Sequence, residues 1–218
     1  FKNTKNFSGE TNENNQAIVQ GQKDTKLNET GRKQSQCLAK NFDSNGFNRI
    51  YASDLSRAYD TCTILLSDDS KCIITDPLIR ERSFGEKEGR PLKELVAAAR
   101  NAGLSTPEYI AKGGESLADV QKRVIRFLQE KILLSTKPDE QVLIVSHGGV
   151  IRQMIEFLAE FMPTDLNSSE FEKKKKLFYA CKTTLFLILM LNLNNGNTQS
   201  SKWSSPSSGM KYTLKTRV

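Results

Sequence analysis

The sequence predicts an α/β fold: a mostly parallel central sheet with helices on both faces. Three observations point to it. Short apolar runs alternate with segments of helical periodicity along the chain. The run Gln141 to Ser146 is apolar at successive positions, as in a strand covered on both faces. That strand runs directly into His147-Gly148-Gly149 and a further helical pattern.

In chain order, residues 28–42 read as a helix capped by Asn28, with Leu38, Ala39 and Phe42 on one face. Arg49 to Ser53 is a short strand that passes into a helix over Asp54 to Leu66. Cys72 to Thr75 is a strand closed by Asp76-Pro77. Pro91 to Asn101 is a helix with proline in its first turn, where its missing N–H costs nothing. Ser116 to Leu133 is a helix with a cap signal and an apolar stripe at Leu117, Val120, Val124, Phe127 and Leu128. A helix follows from Val150 to Phe161, and Thr184 to Leu193 is the last strand. From Asn194 onward the composition is polar and Lys-rich, which predicts a structureless tail. The expected organisation is therefore an atypical N-terminus over 1–8, one domain over 9–193 and a basic tail over 194–218.

A chain of 218 residues, 37% hydrophobic, suffices for one domain with an appendage. Its longest apolar run, Leu185 to Leu191, is too short for a membrane span. No apolar leader is seen at the N-terminus. The net charge of +7 is unevenly placed. Residues 171–218 hold nine Lys or Arg against one acid, Glu172, so the domain itself is close to neutral. A solvated basic appendage is expected, not a nucleic-acid surface, because no recognition motif accompanies the charge. Cys37, Cys62, Cys72 and Cys181 form no C-x-x-C pair and do not cluster with the single histidine. They read as buried reduced thiols in a cytoplasmic protein, with no metal site.

Three segments carry chemistry. In V-L-I-V-S-H-G-G-V-I-R (Val142 to Arg152), a buried strand ends at His147, and Gly148 and Gly149 open a helix. Ligands bind at the carboxyl ends of such strands, and helix N-termini favour anions. A capping or core histidine is the plainer alternative. In R-I-Y-A-S-D-L-S-R-A (Arg49 to Ala58), Arg57 sits in a first helical turn, where a positive charge opposes the helix dipole. Either it forks onto a phosphate or it is a solvated surface arginine. In L-I-R-E-R-S-F-G-E-K-E-G-R (Leu78 to Arg90), Glu81 stands between Arg80 and Arg82. Proton donation to a leaving oxygen is one reading, and surface ion pairing is the other.

Taken together these segments resemble the histidine phosphatase (phosphoglycerate mutase-like) superfamily. L-N-E-T-G-R-K-Q (Leu27 to Gln34), G-G-E-S (Gly113 to Ser116), G-E-T-N-E-N (Gly9 to Asn14) and V-Q-G-Q (Val19 to Gln22) extend the likeness from Gly9 to about Leu193. The wording is nearest to TIGAR-type fructose-2,6-bisphosphatases within that superfamily. The resemblance implies a metal- and cofactor-free phosphatase acting on a small phosphorylated sugar through a phosphohistidine. It assigns Arg57 and Asn14 to phosphate, Glu81 to proton donation, and His147 to the second histidine's role. It also places Gln20 and Gly21 in the loop that touches substrate, with Gly148 beside the phosphate.

One departure is severe. The family's R-H-G-E motif falls on Phe7-Ser8-Gly9-Glu10, so both the nucleophilic histidine and its arginine are missing. A Ser8 nucleophile with His147 as base would leave a phosphoserine ester, which is far harder to hydrolyse. Residues 2–6 (K-N-T-K-N) are also too polar for a central strand, which points to an altered first coding segment beginning before Gly9. This chain is therefore expected to show little turnover. A dead phospholigand-binding module and a phosphoglycerate mutase are the alternatives. Oligomeric state is not legible.

Overall fold

The computed structural model describes residues 9–40, 42–66, 71–134, 140–161, 188–192 and 213–216, the last two segments and residues 158–161 by backbone alone. Strands β1 (Arg49–Ala52), β2 (Ile73–Thr75), β3 (Gln141–Val145), β4 (Ile188–Asn192) and β5 (Thr213–Thr216) form one sheet in the order β2-β1-β3-β4-β5. β1 pairs in parallel with β2 and β3, whereas β4 and β5 join antiparallel. The sheet is thus parallel at the site-bearing half and antiparallel at the other.

β3 is buried at every position from Val142 to Val145, and its side chains divide between two cores by the two-residue period of a strand. Val142 and Ile144 meet Tyr51, Val124, Phe127, Val150 and Met154 on one face. Leu143 and Val145 meet Ile50, Ala52, Ala58, Cys62 and Leu65 on the other. The first core is roofed by α5 (Leu117–Phe127) and α6 (Gly148–Phe161), and the second by α3 (Ser56–Leu66). The expectation of helices on both faces is met.

Several boundaries shift. α2 spans Glu29–Ala39, with Asn28 Oδ1 accepting from Gly31 N at 2.8 Å. Its fully buried residues are Gly31 and Ser35, and the predicted Leu38 and Phe42 are half-buried and pack against the second core. Gly31 allows a close approach: a Cβ there would lie 2.2 Å from Glu10 O. Phe42 also stacks on Phe47 beyond the helix. α4 spans Leu92–Asn101. The predicted helix from Ser116 is α-helical to Phe127 and π-helical over Leu128–Leu133. Leu117 leaves the predicted stripe and is 41% exposed, because the first turn of α5 rims a cavity. A short helix, α1 (Asn12–Asn15), held by a Thr11 capping box, was not foreseen.

Within the segment expected to lack structure, Thr213–Thr216 pairs with β4 as an edge strand; Thr-Leu-Lys-Thr has the β-propensity for it. Cys37 and Cys72 are exposed, which corrects the expectation of buried thiols. Cys62 is buried, and burial pushes its thiol pKa up to about 12. Positions 1–8, with Phe7 and Ser8, lie outside the described residues, as do Lys173 to Lys176 and Cys181. No helix among the described residues is long and apolar enough to cross a membrane.

Candidate active site

The carboxyl ends of β1 and β3 are neighbours, and the site grows from them. Ser53 follows β1 and His147 follows β3 by two residues. Both are fully buried, with His147 Nε2 2.8 Å from Ser53 Oγ. Burial, then Arg57, then Arg123 hold the imidazole pKa well below its usual value, so the ring is neutral at pH 7.

Arg57, in the first turn of α3, is 1% exposed, so it is not the solvated surface arginine that the sequence alone also allowed. Burial lowers its pKa, while Glu81 and Asp24 act in the opposite sense. Nη2 donates to Gly21 O at 2.8 Å, and Nη1 lies 3.0 Å from Lys23 O and 3.3 Å from Thr25 Oγ1. A guanidinium has five N–H donors. Nε, which is buried, has no hydrogen-bond partner among the described residues. An unsatisfied buried N–H calls for an acceptor. The unfavourable placement of this cation at a helix N-terminus is offset by Asp24, whose carboxylate accepts from Ser56 N and Ser56 Oγ, both at 2.7 Å.

Glu81 reaches the start of α6. Its Oε1 accepts from Arg82 N at 2.8 Å, and its Oε2 lies 3.4 Å from Gly149 N. A Cβ on Gly149 would lie 2.5 Å from Glu81 Oε1, so glycine here makes room for the carboxylate. Surface ion pairing does not describe Glu81, which has no ion pair among the described residues. Arg82 does not pair with Glu81; its three nitrogens donate to the carbonyls of Glu115, Pro107 and Tyr109 at 2.6–2.7 Å. Arg80 pairs with Asp54.

The loop expected to touch substrate is zipped to the segment before α4. Val19 N donates to Arg90 O, Gly89 N to Val19 O, and Leu92 N to Ala17 O. Gly21 has φ +55°, and a Cβ there would lie 2.3 Å from Glu88 Oε1. That carboxylate accepts from Gln22 N and Phe84 N and so ties two loops together. Gln20 Oε1 lies 3.0 Å from Thr11 Oγ1 and 2.5 Å from Thr25 Oγ1, so its carbonyl is spent on the loop itself. Asn14 Oδ1 accepts from Thr11 N and Thr11 Oγ1, both at 3.0 Å, in the capping box.

Asn14, Gln20, Gly21, Arg57, Glu81 and Gly149 line one cavity of about 480 Å³. His147 and Gly148 are not among the residues that line it; His147 is bonded to Ser53, which does not line it either.

Sequence reasoning missed Ser53, Asp24, Glu88 and the pair Arg123–Glu115. Arg123 Nε donates to Glu115 Oε1 at 2.8 Å, and its Nη groups reach the carbonyls of Leu78, Arg80 and Glu81. Burial pushes the Glu115 pKa upward, but Arg123 and the Ser83 N–H outweigh it and hold the carboxyl below its usual value. The one available signal was G-G-E-S, which contains Glu115.

Residues 8–175 match the histidine phosphatase superfamily (branch 1). Fructose-2,6-bisphosphatase TIGAR B of Danio rerio is 32% identical over 209 residues, covering 81% of this chain and 80% of that one. Fructose-2,6-bisphosphatase TIGAR of Xenopus laevis is 36% identical over 151 residues, 65% of this chain, but the match spans only 54% of that relative's length. The solved structure of a mycobacterial glucosyl-3-phosphoglycerate phosphatase superposes with a TM-score of 0.66 at 26% identity, covering 96% of this chain and 94% of that one. With its parallel half-sheet, its clustered Arg57, Glu81 and Gly149, and these matches, the chain belongs to the histidine phosphatase superfamily.

Proposed function

We propose that the cavity is a phosphate-monoester site, and that the protein is a metal-independent phosphatase of small phosphorylated molecules wherever its nucleophile is present. The observation that carries this reading is Arg57: a buried guanidinium in a cavity wall whose Nε lacks an acceptor among the described residues. A phosphate oxygen supplies that acceptor, and the N-terminus of α6 adds a second attraction for negative charge.

The roles follow from chemistry and from the family. Arg57 and the Asn14 amide donate to phosphoryl oxygens. Glu81, facing the same cavity, is the group placed to hand a proton to the departing alkoxide. The family assigns His147 to the phosphate end; here, neutral and tethered by Ser53, it acts as a hydrogen-bonding group and not as a cation. In the family reaction a histidine attacks phosphorus, the ester oxygen leaves with a proton, and water then cleaves the phosphohistidine. Position 8 here is Ser and position 7 is Phe, so that first bond has no imidazole to form it.

The narrower reading, a fructose-2,6-bisphosphatase, draws on the names of the relatives. A binding module without turnover is favoured by one specific observation: Arg57 is buried in the cavity wall while Ser stands where the family has its nucleophile.

Calorimetric titration with inorganic phosphate tests the site. Binding by this chain, lost on Arg57→Gln, supports it; no binding refutes it. Incubation with a radiolabelled phosphate ester is expected to leave no acid-labile label on histidine, and a labelled His147 would contradict the assigned roles.

A further inference from the structure

Resting on that phosphate reading, we propose that the cavity selects monoesters whose alcohol part is compact and apolar, an aryl or branched alkyl group, over sugar bisphosphates. Most polar lining groups come from the carboxyl edge of the sheet and from the 14–21 loop. Apart from Thr106, the remaining wall is apolar: Leu92 and Leu95 of α4, Leu117 and Val120 of α5, and Phe84, continued by Ile18 of the loop. A volume of about 480 Å³ is far more than a phosphate needs and falls in the range of small-ligand pockets. Something other than the phosphate fills the α4–α5 side.

That wall offers little to a second phosphate. Among the described residues, the cationic residues in the lining are Arg57 and Arg82. Arg57 serves the first phosphate. Arg82 is 6% exposed, and each of its three nitrogens already donates to a backbone carbonyl. Glu81, the remaining charged lining group, repels an anion. Sugar hydroxyls laid against Leu92, Leu95, Leu117 and Val120 would lose water without gaining partners, which is unfavourable for each one. An apolar group there is favoured by the area it removes from water. Leu92 and Leu117 are 45% and 41% exposed, so they present apolar surface at the mouth that such a group would cover.

The experiment compares affinities of this chain for inorganic phosphate, phenyl phosphate, fructose 6-phosphate and fructose 2,6-bisphosphate by calorimetry. Phenyl phosphate is expected to bind roughly tenfold to hundredfold more tightly than fructose 6-phosphate, as burial of one ring face predicts. Leu117→Asp, at an exposed position where folding tolerates it, is expected to cut the ratio of phenyl phosphate to inorganic phosphate affinity about tenfold. Equal affinities, a preference for either fructose ester, or an unchanged ratio in Leu117→Asp overturns the inference while leaving the phosphate site standing. Absence of binding by all four ligands removes the phosphate site, and this inference falls with it.

Discussion

His147 Nε2 lies 2.8 Å from Ser53 Oγ, a bond between two fully buried residues that joins the carboxyl ends of β3 and β1. It fixes the ring's plane before any ligand arrives. Ser53→Ala removes the hydroxyl and leaves a buried nitrogen without it, at a cost of about 1–3 kcal/mol. Urea denaturation should show a lower midpoint with an unchanged slope. Phosphate affinity should fall in the same variant, since His147 would lose its tether to β1.

The imidazole also makes stability depend on pH. Its folded pKa is depressed well below the ordinary value of 6.5, chiefly by burial. The unfolded chain therefore binds the extra proton first as pH falls through 6.5. Stability is fully present above that value and declines below it, with a slope of at most about 1.4 kcal/mol per pH unit. Since the sequence has one histidine, His147→Gln should flatten the profile between pH 7.5 and 5.5. Unfolding midpoints measured across that window check this.

Gly21 and Gly103 both have left-handed backbone, φ +55° and +71°, but only Gly21 faces a neighbour. A Cβ at Gly21 would lie 2.3 Å from Glu88 Oε1, whereas at Gly103 nothing stands within 4 Å. Gly103→Ala should cost about 1 kcal/mol, from backbone conformation alone. Gly21→Ala should cost about 2–3 kcal/mol, because the carboxylate that ties two loops must also move. It should weaken phosphate binding too, since Gly21 O anchors Arg57. Thermal melts of the two variants, with phosphate titrations, separate the effects.

Arg123 and Glu115 are mostly buried partners, and Arg123 also clamps the carbonyls of Leu78, Arg80 and Glu81. Arg123→Met strands the Glu115 carboxylate and frees the segment that carries Glu81. A loss of about 3–5 kcal/mol is expected. Adding Glu115→Gln should recover part of it, because the stranded charge goes. Additive losses in the double variant would show that the two residues do not act as a pair.

Much of the scaffold was legible in sequence because it follows local periodicity. The apolar run of β3, the Asn28 and Ser116 caps and the strand-to-helix passages at 49–58 and 142–152 need only neighbouring residues to be recognised. The face of α2 was legible in Leu38 and Phe42, but its closest approach was not. Gly31 and Ser35 are small, and their burial depends on how closely Glu10 approaches, a distance no pattern encodes.

The candidate site divides in the same way. By itself the sequence determined the residue types: one histidine after an apolar strand, one arginine in a first helical turn, one glutamate among arginines, and Ser at the position where the family has its nucleophile. Only the tertiary structure decided what those groups experience. It buried Arg57 against the 21–25 loop, kept His147 neutral and bonded to Ser53, set Glu81 over Gly149 and built a mostly apolar wall from α4 and α5. Burial, electrostatic neighbours and cavity shape arise from segments far apart in the chain, and they emerge when the sheet and its two helix layers bring those segments together.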